Sequence, residues 1–402
     1  MFVRLVRFLL LLVGIGLLPG CWDVREMPQL AIVSAMGIDK APTDNHYRVS
    51  FQVINPSEIS AGITESGGGR TTPITVYAGS GDTLFEAIRE SSGLMPRQLF
   101  FSHTRIIVIG EQLAREGIED IFDMFERFSE TRLTSRVLIA RGSSAEAVLS
   151  TLTPIERIPS NALNGKLKFT SKLTSEQMEI QIDDVIRALS STASEPIING
   201  IRLLGNTALG SKKKNVEQAV PIVRSRISGI ALFKNGKLTR WLDGKDARGV
   251  VLLQNKMKSS VDVLPCKAEK KAIAIELLRA KTEVKTAFRN GKPYFQISVK
   301  QEGSLNEVKC SINLKKPEEI AKLEKEWSEL VKKEVIGSVQ VAQKEQSDIF
   351  GLGETFNRQH PKQWKKIQKD WGNLFAESDV TVTVNSFIRH SGMRIKPAFS
   401  EQ

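Results

Sequence analysis

Apolar residues divide the chain into a short leading run and a long mixed body. Phe8 to Leu18 is nearly continuous apolar sequence, preceded by Arg4 and Arg7. It is shorter than the roughly 20 residues that a membrane-spanning helix needs. With its positive flank it reads as an export signal over residues 1–20. Residues 22–29 are mostly polar, giving a tether over 21–30. Ala31 to Ile38 has the apolar character of a buried strand, and Tyr47, Val49, Phe51 and Val53 alternate along a second that ends at Ile54. Pro56 to Pro73 is rich in Ser, Gly and Thr, includes Gly67-Gly68-Gly69, and reads as a mobile loop. Ile74 to Gly79 predicts a strand. Asp82 or Thr83 then caps a helix to about Ser92, with Leu84, Phe85 and Ile88 on one face. Leu99 to Ile109 reads as a strand and Glu111 to Phe128 as a helix. Leu133 to Ala140 predicts another strand, followed by a helix from Ser143 or Ser144 to Leu152. This alternation predicts a mixed α/β domain over 31–195.

A small middle domain, 196–268, is expected around a β-hairpin. Gly229 to Leu238 places two strands about Asn235-Gly236, whose residues tolerate the positive φ of a type I′ turn. Trp241 and Leu242 extend the returning strand, and a short helix follows from Asp246 to Asn255. The remaining domain, 269–402, reads as strands Ile273–Phe288, Tyr294–Gln301 and Glu307–Leu314, mostly antiparallel, then a long helix opened by Pro317. Ile320, Leu323, Trp327, Leu330, Val331 and Val335 form its apolar stripe. A helix from Gln359 to Phe375 and a strand through Val380, Val382 and Val384 complete the pattern. The expected fold class is therefore α+β (mixed α/β), with three domains that each set a β-sheet against helices. The C-terminal domain carries the one long helix.

Charge alters this picture by its distribution. The net +12 divides into −4 over residues 1–200 and +16 over 201–402. A basic half held near an anionic bilayer is attracted to it by about 1 kcal/mol per cation close to the surface, so the basic C-terminal half is a candidate membrane contact. A solvated lysine-rich surface is the plainer alternative. Export argues against nucleic acid as a partner.

Candidate chemistry is sparse. His46, His103, His360 and His390 are scattered without metal-ligand spacing, and neither a nucleophile elbow nor a phosphate-binding loop occurs. Gly351-Leu352-Gly353 lacks the third glycine of a dinucleotide fingerprint. The adjacent pairs Asp183-Asp184 and Glu119-Asp120 diverge on a helix. No catalytic, cofactor-binding or metal-binding residue is expected. Cys266 and Cys310 could pair in an oxidising compartment. Two cysteines in so long a chain make no disulfide framework, and they are expected as free, partly buried thiols. Cys21 has a different setting. It follows Leu18-Pro19-Gly20 directly behind the export signal, in the manner of a lipobox. Cleavage before Cys21 leaves a sulfur that takes a diacylglyceryl group, and N-acylation would add a further chain. Two acyl chains anchor stably where one holds only marginally.

The run Cys21-Trp22-Asp23-Val24-Arg25-Glu26, continuing through Leu30-Ala31-Ile32-Val33 to Gly37-Ile38-Asp39, resembles the mature start of the Ger(x)C family. These are the C-subunit lipoproteins of nutrient germinant receptors in endospore-forming bacteria. Further blocks are similar: Ser102-His103 ahead of Arg105–Ile109, then Gly110-Glu111; Gly229–Leu238 with Trp241-Leu242; Asp348–Gly353; Pro361 with Trp364; and Val380–Met393. Met27 and Pro28 depart from the family's usual leucine and asparagine. The resemblance implies three mixed α/β domains and a non-enzymatic lipoprotein on the outer face of the spore's inner membrane. It also implies integral-membrane A and B subunits as partners and lipid attachment at Cys21. Asp23, Arg25 and Glu26 are candidate partner contacts beside the membrane, against a solvated linker as the plain alternative. A solute-binding lipoprotein serving a transporter is the alternative function, and it predicts two lobes of similar design.

Overall fold

The computed structural model describes residues 2, 4, 7, 29–42, 46–56, 72–266, 269–310 and 312–390. The first half builds β1 (Leu30–Lys40), β2 (Tyr47–Ile54), β3 (Ile74–Gly81), α1 (Leu84–Gly93), β4 (Gln98–Phe100), β5 (Ile106–Gly110), α2 (Glu111–Glu116), α3 (Glu119–Arg127), β6 (Arg136–Ala140), α4 (Ala145–Ser150), α5 (Pro159–Leu173) and α6 (Ile182–Leu189). It continues through β7 (Ile197–Leu204), β8 (Arg224–Lys234), β9 (Lys237–Leu242) and α7 (Gly244–Leu253). These strands form one mixed sheet in the order β3-β2-β1-β5-β6-β7-β8-β9, with β4 beside β1. β1, β5, β6 and β7 run parallel.

Both faces of this sheet are covered, so its central strands need apolar residues throughout rather than at alternate positions. In β5, Ile107 and Ile109 face the helices α1, α2, α3 and α6, while Ile106 and Val108 face α4 and α5. Local signals fix several helix starts. The Thr83 hydroxyl accepts from the Glu86 amide at 3.1 Å, and the Ser144 hydroxyl accepts from the Ala147 amide at 3.1 Å. Leu84 and Ile88 are buried as expected, but Phe85 is 47 % exposed.

Several expectations change. The segment Leu99–Ile109 divides into β4 and β5, because the chain turns at 101–105 before rejoining β1. Glu111–Phe128 breaks into α2 and α3 at Gly117, whose φ of +152° ends the first helix. The hairpin does not found a third sheet. β8 pairs antiparallel with β7 and β9 with β8, so the expected middle element forms the far edge of the first sheet. Asn235 and Gly236 have φ of 49° and 69°, the turn read from the sequence.

The second sheet comprises β10 (Ser260–Cys266), β11 (Glu269–Arg289), β12 (Lys292–Val308) and β13 (Asp379–His390), in that order. The segment Glu307–Leu314 is not a separate strand, since β12 runs unbroken to Val308. Between β12 and β13 lie α8 (Pro317–Lys344), α9 (Leu352–Gln359), α10 (Pro361–Ile367) and α11 (Trp371–Ala376). The sheet is mostly antiparallel, as expected, but this helical crossover returns β13 parallel to β12. The helix expected over Gln359–Phe375 starts at Pro361, which suits a first helical position, and is split into α10 and α11 by a 3-10 turn at Gln368–Asp370. On α8, Leu323, Trp327, Val331 and Val335 are buried as the stripe predicts.

Cys266 and Cys310 form a disulfide with a Cα–Cα distance of 6.3 Å, contrary to the expectation of free thiols. The reason is topological. Cys266 opposes Glu269 on one side of β11, and the Lys309 amide donates to the Ala272 carbonyl on the other. The end of β11 therefore brings together two residues 44 apart in sequence.

Candidate functional site

Cys21, Asp23, Arg25 and Glu26 lie outside the described residues, as do Gly67, Gly68 and Gly69. The sequence blocks within the described residues converge at two places, and both are held together by buried polar groups.

One is the junction of the two sheets. Asp348 lies in the turn between α8 and α9, and its side chain is buried. Its Oδ1 accepts from the amides of Phe350 (3.2 Å) and Leu352 (3.1 Å), and its Oδ2 from the Gly353 amide (2.7 Å) and Trp371 Nε1 (3.1 Å). The carboxylate thus takes up the free amides at the start of α9. Burial pushes its pKa up to about 6, although the four hydrogen bonds favour the charged form. Gly353 is needed here because a Cβ would lie 2.6 Å from the Ala193 carbonyl and 2.7 Å from Trp371 Nε1.

The turn and the helix end before it grip the hairpin. Ser347 Oγ donates to the Phe233 carbonyl at 2.5 Å, and Lys234 Nζ donates to the Gln346 carbonyl at 2.7 Å while pairing with Glu195 at 3.2 Å. The Glu195 amide donates to the Asp348 carbonyl at 2.9 Å, and Arg240 pairs with Glu345 at 2.9 Å. Blocks more than 100 residues apart are thereby fixed in one contact. Beside it a cleft of about 300 Å3 opens between the lobes, lined among others by Ile180, Arg187, Lys256, Phe350 and Glu354.

The other place is the carboxyl end of the parallel strands, where sheets of this kind commonly receive ligands. Asp39, at the end of β1, accepts from the Ala145 and Glu146 amides at 2.8 and 3.0 Å and so caps α4. Gly110 fits beside it, since a Cβ there would lie 2.3 Å from Asp39 Oδ1. Glu111 accepts from Trp241 Nε1 at 2.9 Å and from the Gly142 amide at 3.1 Å. Burial works to raise the Glu111 pKa, but hydrogen bonds from Trp241, Arg115 and Gly142 outweigh it and hold the carboxyl below its usual range. Arg141 stacks 4.5 Å from the Trp241 ring and makes a bidentate pair with Asp243 at 2.6 and 2.9 Å. The α4 amides that an anion would use are occupied by Asp39. The arrangement joins the hairpin to the sheet by internal bonds.

A third group lies under α8. Arg248 pairs with Asp262 at 2.5 Å and approaches Glu334 at 3.7 Å, while Trp327 Nε1 donates to the other Asp262 oxygen at 2.7 Å. Burial pushes Glu334 up to about 7, more than the Arg248 charge pulls it down. The folded state therefore binds a proton that the unfolded chain releases near pH 4.5. Stability from this group is full below about pH 4.5 and falls as pH rises to about 7. Asp348 acts in the same sense between 3.8 and about 6. Glu302, held near 2 by Arg389 against burial and also by Arg279, acts oppositely and loses its contribution below about pH 4.5. Thermal melts are expected to peak near pH 5 and decline toward neutrality. Glu334→Gln should flatten the upper part of that decline, and an unchanged slope would remove Glu334 as its source.

Sequence reasoning left Asp348, Arg248, Asp262 and Glu334 without roles. Asp348 stands in one of the sequence blocks, but with no helix predicted at Leu352 nothing local marks it as a cap. No local signal marks the Arg248 group, whose members come from three elements.

Fold and sites together describe a two-sheet α/β protein whose sequence blocks bind one another. Comparison with known proteins gives that arrangement a family. Residues 23–203 match the model described as the spore germination protein N-terminal domain, and residues 228–392 match that described as spore germination B3/GerAC like, C-terminal. The chain is 33 % identical over 391 residues to spore germination protein KC of Bacillus subtilis strain 168, covering 96 % of each chain. It is 26 % identical over 302 residues to spore germination protein B3 of the same organism, covering 72 % of this chain and 71 % of that one. The crystal structure of the GerBC protein shares the fold, with a TM-score of 0.54 at 20 % identity over 91 % of this chain and all of that one. The chain belongs to the GerAC family of spore germination proteins, the C subunits of germinant receptors.

Proposed function

We propose that this C subunit is an exported lipoprotein held by acylated Cys21 on the outer face of the spore's inner membrane. There it assembles with integral-membrane A and B subunits and transmits their signal without catalysis. The observation that carries the anchor is Cys21 placed directly behind a short apolar run with a basic flank. The Cys266–Cys310 disulfide supports an oxidising compartment outside the cytosol. A role in assembly rather than chemistry is supported by three carboxylates. Buried Asp39 and Asp348 and partly buried Glu111 are engaged by amides and indoles of the chain itself. Asp23, Arg25 and Glu26 pair with a partner beside the membrane. Along the chain, the division is into domains 31–195, 196–268 and 269–402, the middle one lending β7, β8 and β9 to the first sheet and β10 to the second.

The solute-binding alternative predicts two lobes of like design. The sheets here differ in strand number and in order.

Cys21→Ser tests the proposal in spores. The variant is expected in the soluble rather than the membrane fraction, because the diacyl anchor is lost. Dipicolinate release in response to one nutrient class should be lost, while release triggered by a cationic alkylamine stays intact. A variant retained in the membrane and fully responsive would overturn the anchor.

A further inference from the structure

We infer that the end of the first sheet where β1 begins is a membrane-facing surface, which meets anionic headgroups through Arg97, Arg105 and Arg132. This rests on the Cys21 anchor proposed above and adds the face, its residues and the lipid charge it prefers.

Two independent observations carry it. The first is reach. Cys21 and Leu30 are nine residues apart, which span at most about 30 Å when fully extended. Leu30 begins β1, and β1 is 11 residues long, so the far end of the sheet lies about 36 Å beyond it. The start of β1 is therefore held within about 30 Å of the membrane and is the part of the sheet with the shortest tether. With that end down, the opposite end stands further away by several Debye lengths of about 10 Å.

The second is charge. β1, β4, β5 and β6 are parallel neighbours, so the residues ahead of each share one end of the sheet. Arg97 precedes β4, Arg105 precedes β5, and Arg132 lies in the turn ahead of β6; all three are exposed. Arg105 donates to Asn161. At this end Arg136 pairs with Glu179, and Arg187 is shared by Asp183 and Asp184, which leaves one negative charge over against the three arginines. Among the described residues of these loops, the exposed carboxylate left over is Glu130. Leu94 and Leu133, 58 % and 39 % exposed, flank the arginines with apolar groups suited to the headgroup boundary. The opposite end has the reverse character. There Asp82 and Asp120 are exposed, and Glu116 and Glu146 are already matched by Lys40 and Arg48. The N-terminal half is acidic overall, yet three exposed arginines without a carboxylate partner among the described residues lie at the end where the tether attaches.

The test uses the full-length lipoprotein in phosphatidylcholine vesicles, with and without phosphatidylglycerol. One fluorophore is attached through Gln98→Cys or, at the opposite end, Asp82→Cys. Acylated Cys21 and the disulfide leave no competing thiol. With nitroxide-labelled lipid, the label at 98 is expected to be quenched several-fold more than that at 82. The difference should widen with phosphatidylglycerol, and Arg97→Glu with Arg132→Glu should abolish that widening. Equal or reversed quenching in protein that floats with the vesicles overturns this inference and leaves the anchor standing. Protein that fails to float overturns both.

Discussion

Asp348→Ala is expected to cost about 3 kcal/mol or more of stability. The substitution removes the acceptor for Trp371 Nε1 and for the amides of Phe350, Leu352 and Gly353. A buried donor left without a partner costs about 1–3 kcal/mol. Relief from burying a carboxylate offsets part of the sum, since burial already raises the pKa to about 6. Loss of the turn also loosens its contacts with Phe233 and Glu195, so the two sheets should come apart at lower denaturant concentration. Urea unfolding followed by tryptophan fluorescence reports this directly, because Trp371 is in the affected site. Asp348→Asn keeps one acceptor but turns its amide group toward other donors, and it should fall between the parent and the alanine variant. An alanine variant within about 1 kcal/mol of the parent, the scale of one ordinary hydrogen bond, would show that the amides find other partners and that Asp348 does not hold the junction.

The second large effect concerns Cys266 and Cys310. In the chain-entropy description, a bridge closing 44 residues restricts the unfolded chain by about 4 kcal/mol. Cys266→Ser with Cys310→Ser should lose about that much. A reducing agent should lower the parent's midpoint to that of the double variant and leave the variant unchanged. The loss should fall on the second sheet first, because the bridge closes the end of β11 between β10 and β12. A double variant as stable as the parent would mean that the cysteines are not joined in the folded protein. The outcome also bears on compartment, since a bridge that persists implies folding outside a reducing cytosol.

Physically, the two effects differ. The Asp348 network stabilises the folded state through bonds that water would otherwise supply, whereas the bridge acts mainly by limiting the unfolded chain. Both leave the surface unaltered. Variants of either kind are therefore expected to lower the amount of folded subunit in the spore rather than to change which nutrient is answered.

The sequence by itself determined what depends on near neighbours. The helix starts at Asp82 or Thr83 and at Ser143 or Ser144, the Asn235-Gly236 turn, the helix from Pro317 with its buried stripe, and the strands at β1, β2 and β3 each follow from spacing or backbone preference within a few residues, and the structure selects Thr83 and Ser144 as the caps. The family resemblance was legible for the same reason, since it is carried by short blocks. What only the tertiary structure decided depends on residues distant in sequence. The periodicity of β8 and β9 shows two strands but not that β7 is their neighbour, so from sequence alone the hairpin reads as the core of a separate domain. β13 has the same alternation whether it runs parallel or antiparallel to β12, and the helical crossover settles its direction. Cys266 and Cys310 meet because β11 separates β10 from β12. Asp348 is charged and unremarkable as a sequence position. It becomes a buried cap only when α9, Trp371 and the hairpin close around it, because the cost of burying a carboxylate is met by donors that distant parts of the chain supply.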